Sequence, residues 1–281
     1  MKRFNVLVNG IFPSIEEVTR MLSFDRNNWR VIDLTLPIYP FHQDFVGFPK
    51  VCKWGHVEGA RLNSVHAGVD PEDFPEGMGQ AWEEATLTTH LGTHLDSPYH
   101  YYPTTAGKPA KTIDKVPLEW TIGNGVVLDL THKKPREFIT RDDIVQALNK
   151  IGYKLKPYEI VLIRTDWDKK WGKRTYFEDH PGMSAEATIY LLDQGIKNMG
   201  VDTFGFDRPF KVMGDDYKRT GDKSYLWPAH FVGKEREFIH YERLANLDKI
   251  PVHYGFLFVG APVVIEGASA GWTRAFAVVE K

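Results

Sequence analysis

Short apolar runs along this chain alternate with stretches of helical period, and the order of the two predicts the architecture. Arg30–Leu36 (RVIDLTL) has the alternation of a strand and is closed by Pro37. Gly125–Leu130 and Glu159–Arg164 are compact apolar runs bounded by turn signals, as buried strands are. Between them, Thr140 caps a helix over Arg141–Ile151 that Gly152 ends. Ser184 caps a second helix, predicted to run to Met199 and close at Gly200. Val201–Phe206 follows as a strand, and Phe256–Val259, Pro262–Glu266 and Thr273–Val279 as late strands. Near the start, Ser14-Ile-Glu-Glu17 has the capping-box pattern and opens a short helix toward Leu22. Strands alternating with helices predict an α/β or mixed α+β fold. Pro37–Gln80 breaks this rhythm: it is rich in Pro, Gly, Phe and His and reads as a long functional loop.

Composition narrows the function classes. With 281 residues, the chain allows one large domain or two small ones. Lys+Arg at 35 against Asp+Glu at 37 leaves a formal net charge of −2, which argues against a nucleic-acid or membrane-surface partner. No apolar run approaches the ~20 residues of a membrane span. Asn5 and Asn9 interrupt the apolar stretch after Lys2 and Arg3, so no signal peptide is expected. The lone Cys52 cannot pair within the chain and reads as a buried thiol in a reducing, cytoplasmic compartment. The abundance of Phe (17), Tyr (12) and Trp (8) fits a small-molecule pocket for a flat substrate.

The densest chemistry is His90-Leu-Gly-Thr-His94-Leu-Asp96-Ser-Pro-Tyr-His100. A helix would place His90 and His94 together but swing Asp96 about 200° away from His94. An extended chain puts positions 90, 94, 96 and 100 on one side, and Gly92 and Pro98 also weaken a helix. A strand-like or turning segment therefore aims three ligands at one centre. Two imidazoles and a carboxylate form a common hydrolytic metal set that leaves a position for water, with His100 beside it as an acid–base group. Manganese or iron can use the same donors as zinc.

This segment resembles the H-x-G-T-H-x-D-x-P-x-H signature of the cyclase family of metal-dependent hydrolases, which includes bacterial kynurenine formamidases and isatin hydrolases. Further stretches carry the likeness: Ile32-Asp-Leu-Thr35, Leu162-Ile-Arg-Thr-Asp-Trp167, Ser184–Thr203 and Gly267-Ala-Ser269. The resemblance spans roughly residues 30–279. It implies a single α/β domain over residues 1–281, with 1–29 as an N-terminal extension and a curved, barrel-like mixed sheet flanked by helices. It implies a homo-oligomer, dimer or tetramer. It also implies a second metal position, since His230 and Glu242 have the twelve-residue separation of a His and Glu that share the Asp with the first ion in formamidase-like members. The alternative for Glu242 is a solvated helix charge.

The expected metal ligands are thus His90, His94, Asp96, His230 and Glu242, holding one or two divalent ions, zinc or manganese, with His100 catalytic. The expected reaction is hydrolysis of a C–N amide bond in an aryl formamide or a cyclic amide such as isatin. The alternatives are a lactone hydrolase or a cyclase or dehydratase using the same metal, or a metal-binding scaffold without catalysis. Gly267-Ala-Ser269-Ala-Gly271 fits the serine-hydrolase elbow, but no His follows it, so a tight turn is the better reading. Gly123-Asn-Gly125 lacks the third glycine of a dinucleotide loop. Asp166 and Asp168 read as a solvated loop, the alternative being support for site residues, His180 reads as an ordinary loop histidine, His132 sits in a basic surface run, and His240 and His253 have no partner pattern. Phe41, Phe45, Phe48, Trp54, Trp82, Tyr99, Tyr101 and Tyr102 are candidates for the pocket wall, with about two of them expected on substrate.

Overall fold

The computed structural model describes residues 28–38 and 49–281. The predicted helix at Ser14–Leu22 and the aromatics Phe41, Phe45 and Phe48 lie outside them. The chain divides into two compact units, Met1–Leu36 with Gly92–Lys281, and Pro37–Leu91.

The larger unit is a mixed α/β fold around one strongly curled nine-stranded sheet, a half-barrel. In chain order the strands are β1 (Trp29–Asp33), β2 (His94–Asp96), β3 (Ile122–Asp129), β4 (Ile160–Arg164), β5 (Asn198–Val201), β6 (Ile239–Glu242), β7 (Tyr254–Val259), β8 (Ala270–Trp272) and β9 (Phe276–Glu280). Their order across the sheet is β1-β9-β7-β3-β4-β5-β6-β2-β8. The central strands β3 to β6 run parallel, and the pairings on both flanks are antiparallel. Parallel strands need covering on both faces. Here β4 is a buried Ile-Val-Leu-Ile run whose alternate residues enter two separate cores: Val161 and Ile163 join one, Ile160 and Leu162 the other.

Helices α1 (Arg141–Lys150) and α2 (Ala185–Asp193) cover one face through Ile144, Leu148, Leu191 and Leu192. Thr140 caps α1 as expected: its hydroxyl accepts the Asp143 N–H at 3.2 Å, and the Asp143 carboxylate returns to the Thr140 N–H at 2.7 Å. Ser184 caps α2, but the helix stops six residues short of Met199. Gly195, at φ +84°, lets the chain turn so that Ile196 N–H bonds Leu191 O. Asn198–Val201 is then free to pair as β5, and the predicted strand Val201–Phe206 gives way to loop after Val201. The cause lies outside the segment: the buried Asp202 side chain accepts the Thr165 and Asp166 N–H groups, each at 2.8 Å, and leaves the ladder.

Pro262–Glu266 is also not a strand; Pro262 makes one isolated bridge to Thr273. The Gly267–Gly271 stretch turns at Gly267 (φ +72°) and enters β8, with no helix after it, so it is not a nucleophile elbow. The smaller unit corrects the long-loop expectation. Lys50–Trp54 pairs antiparallel with Trp82–Thr86, and His56–Ala67 forms a helix between them. Cys52 lies exposed on this ribbon rather than buried. No helix among the described residues is long and apolar enough to cross a membrane.

Leu128 on β3 is fully buried in the helix-covered core, whereas Val264 is 68% exposed. Leu128→Ala should therefore lower unfolding free energy by about 2–5 kcal/mol in urea titration. Val264→Ala should stay within about 0.5 kcal/mol of wild type.

Candidate metal centre

The centre is built on the register of two short strands. On β2, His94 and Asp96 are two residues apart and share a face; on β6, His240 and Glu242 do the same. The antiparallel pairing sets His240 opposite Asp96 and Glu242 opposite His94, so all four side chains meet on one side of the sheet. The chain enters β2 through Gly92 (φ +64°). Thr93 anchors that turn: its hydroxyl donates to Arg243 O at 2.5 Å and accepts the Leu36 N–H at 2.8 Å.

His230 comes from a helical turn, Pro228–Phe231, that begins at Trp227 in the left-handed region (φ 49°). Asp207 fixes that turn. Its carboxylate accepts the Ala229 N–H at 2.8 Å, the His230 N–H at 3.0 Å and the His230 ring Nδ1–H at 2.5 Å. One residue earlier, the Phe206 N–H donates to Glu242 Oε1 at 2.7 Å. The Phe206-Asp207 pair thus orients a histidine and a glutamate together.

Three histidines have Nδ1 engaged away from the centre: His94 with Gly92 O (2.8 Å), His230 with Asp207, and His240 with the Tyr101 hydroxyl (2.9 Å). Each Nε2 then faces carboxylate oxygens. His94 Nε2 stands 3.3 Å from Asp96 Oδ1 and 3.7 Å from Glu242 Oε2. His230 Nε2 is 3.8 Å from Asp96 Oδ2 and 3.7 Å from Glu242 Oε1, and His240 Nε2 is 3.3 Å from both of these oxygens. Ligand atoms of Asp96, His230, His240 and Glu242 all fall within 4.8 Å of one another, and all four residues are buried. Imidazole nitrogens and carboxylate oxygens in a dry site form a donor set that fits a divalent cation.

The carboxylates and imidazoles also shift one another's titration. Burial alone would lower the His230 pKa, but the hydrogen bonds to Asp207 and Asp96 outweigh it and raise it to about 10. Burial would raise Glu242, but its hydrogen bond to His240 and the nearby imidazoles hold it well below the usual carboxylate range. His100 lies at the rim. Its side chain is 33% exposed, and Nε2 is 3.6 Å from Asp96 Oδ2. It sits on a short helical turn, Pro98–Tyr101, rather than on a continuation of the strand. His90 belongs to the smaller unit, two residues before Gly92, and its place in a ligand set rests on the sequence pattern.

Two residues of the centre escaped sequence reasoning. His240 lacked an obvious partner, although the alternation in Phe238-Ile-His-Tyr-Glu242 carried the signal: a strand there puts positions 240 and 242 on one face. Asp207 carried no local signal at all. Glu242 is on a strand and 8% exposed, not a solvated helix charge. His180 is not an ordinary loop histidine: it is buried, its Nδ1 bonds Pro181 O at 3.0 Å, and burial lowers its pKa to about 4. Asp168 is likewise buried, and its carboxylate accepts the Asn246 N–H at 2.9 Å. Among the pocket-wall candidates Tyr101 is buried, whereas Trp82, Tyr99 and Tyr102 are exposed.

Fold and site together define a mixed α/β protein with a buried imidazole–carboxylate cluster able to hold a divalent cation. The chain belongs to the cyclase family, whose model, described as a putative cyclase, matches residues 32–208. That span contains the His90–His100 segment and Asp207, and ends before His230, His240 and Glu242. An isatin hydrolase from Roseibium aggregatum is 28% identical over 217 residues, 73% of this chain and 78% of that protein. A kynurenine formamidase from Bacillus mycoides is 24% identical over 169 residues, 56% of this chain and 72% of that protein. The fold is that of a solved isatin hydrolase bound to the product analogue thioisatinate, with a TM-score of 0.72 and 24% identity, covering 96% of this chain and 100% of that one. A structure described as a novel cyclase has a TM-score of 0.69 at 17% identity and covers 94% of this chain and 93% of its own.

Thr93 joins Leu36, Arg243 and the start of β2 through one buried hydroxyl. Thr93→Val keeps the shape but leaves the Leu36 N–H and Arg243 O without it. The expected loss is about 1–3 kcal/mol of unfolding free energy, read from urea titrations of metal-free protein.

Proposed function

We propose that this protein is a metal-dependent hydrolase that opens a C–N amide bond next to an aromatic ring, in an aryl formamide or a cyclic amide of the isatin type. The observation that carries the reading is the convergence of His94, Asp96, His230 and Glu242, each buried, on one face of β2 and β6. The names of the related isatin hydrolase and kynurenine formamidase support the substrate class.

In this reading His90, His94 and Asp96 hold one zinc or manganese ion, and Asp96, His230 and Glu242 hold a second. Such ions lower the pKa of water and polarise a carbonyl oxygen. Hydrolysis adds the water oxygen to the carbonyl carbon, breaks the C–N bond and leaves a proton on the departing nitrogen. His100 is the residue for that proton. It stands at the solvent edge of Asp96, where it would take a proton from water and hand it to nitrogen, and histidine ordinarily titrates near neutral pH. Asp207 keeps Nδ1–H of His230 occupied, so that its Nε2 stays aimed at the shared carboxylates.

His94→Ala should lower the number of ions per chain, measured by elemental analysis after dialysis; unchanged stoichiometry would refute its role as a ligand. His100→Asn should keep the metal and lose at least ~10²-fold in kcat, and undiminished turnover in that variant would remove the acid–base role. The decisive screen incubates metal-loaded protein with N-formylkynurenine, isatin and simple lactones and follows absorbance. Turnover of an amide supports the reading. Turnover of lactones alone moves the protein to ester chemistry, and binding of metal without turnover of any of them favours a scaffold.

A further inference from the structure

His240 has no task in the reaction just described, yet it is fully buried and its Nε2 points at the two shared carboxylates. We propose that His240 is a fourth protein ligand of the second ion, closing that site against water, and that Tyr101 is the positioning residue that aims it. The proposal rests on the two-ion reading above and adds a donor to it.

The Tyr101 hydroxyl lies 2.9 Å from His240 Nδ1 and 3.2 Å from Asp96 O, and so ties the far side of the ring to the backbone of β2. With Nδ1 engaged by Tyr101, Nε2 is the ring nitrogen that faces Asp96 Oδ2 and Glu242 Oε1, each at 3.3 Å. Two carboxylates brought together in a dry site call for positive charge beside them. Nor can the ring turn away: it is stacked between Phe206 (centroids 4.1 Å apart, planes at 17°) and Tyr101 (5.3 Å, 9°).

Tetrahedral ligands about 2.0–2.1 Å from a zinc ion stand about 3.3–3.4 Å from one another. The measured separations between the two Nε2 atoms and the two carboxylate oxygens are 3.3, 3.3, 3.7 and 3.8 Å. Removing His240 from the set leaves three donors and an open position; including it fills four. Sites filled by four protein donors are the structural type, and those with three keep a place for water. The two ions are therefore unequal. The His90–His94–Asp96 set keeps the open position, while the set with His240 is closed and holds Asp96 and Glu242 in place.

The test loads full-length wild type, His240→Ala, Tyr101→Phe and His94→Ala with zinc or cobalt. It reads ions per chain by elemental analysis, affinity by competition with a chelator, and the visible absorption of the cobalt forms, which is strongest for four-coordinate ions. Wild type is expected to hold two ions. His240→Ala should lose one, or bind it at least about 100-fold more weakly, with a drop in cobalt absorption. Tyr101→Phe should weaken the same ion by about 10–100-fold, the usual effect of removing a group that orients a ligand. It preserves the ring packing, so it still reports if His240→Ala fails to fold. Two ions bound with wild-type affinity and an unchanged cobalt spectrum in both variants overturn the proposal. A single wild-type ion lost in His94→Ala but kept in His240→Ala overturns the two-ion reading and this assignment together. A single ion lost in His240→Ala but kept in His94→Ala supports the His240 ligand and overturns only the two-ion reading.

Discussion

Asp96 is a fully buried carboxylate, and the cost of placing it there organises everything around it. An ionised carboxylate in a dry interior is expensive unless positive charge and hydrogen bonds surround it. This chain surrounds it with the Nε2 atoms of His94, His230 and His240 and, at the rim, of His100. Glu242 adds a second negative group to the same space, and Asp207 a third behind His230. Such a concentration of acceptors facing aimed nitrogen atoms is a cation's environment. The aiming is done by groups one layer out: a carbonyl for His94, a carboxylate for His230 and a phenol for His240.

The scaffold separates strength from chemistry. The parallel strands β3 to β6 carry the apolar cores on both faces and are the thermodynamic centre of the larger unit. The chemistry begins where the sheet changes sense, at the antiparallel pairings β6-β2-β8, whose strands are only three or four residues long. Short strands bring turns close to the site, and turns supply what strands cannot. Gly92, Trp227 and Arg243 take left-handed conformations that start or end the segments holding His94, His230 and Glu242. Outside glycine such conformations persist only where surroundings over-determine them. Arg243 shows how: it is 1% exposed, its guanidinium lies 4.3 Å from the Phe204 ring centroid, and its Nε donates to Phe204 O at 3.2 Å.

The cyclase-family match ends at residue 208, before the residues that complete the cluster, yet it includes Asp207, which reaches forward to orient His230. The centre thus joins a compact local segment, His94–His100, to a distant one, His230–Glu242, through a single carboxylate between them in sequence. The local segment brings His94 and Asp96 on a short strand, and the distant one sets His240 and Glu242 opposite them on a second.

Sequence alone determined what depended on neighbours in the chain. The capping of α1 and α2, strands β3 and β4, and the dense His90–His100 cluster are written in local spacing, because caps, apolar runs and i, i+2 alternation act over a few residues. It did not determine where α2 ends or that Val201–Phe206 leaves the sheet. Those outcomes turn on Gly195 and on Asp202 capturing the Thr165 and Asp166 N–H groups, partners 36 and 37 residues away. The secondary structure inside Pro37–Gln80 escaped because its Gly- and Pro-rich chain carries little periodicity. The role of Asp207, and the meeting of His240 with Asp96, were decided by tertiary structure. A histidine becomes part of this cluster only when strand register sets it opposite Asp96, and an aspartate becomes its support only when a loop folds back on a helical turn 22 residues later. Ligand type is a property of residues, but convergence is a property of register, and register is settled by the packing of the whole sheet.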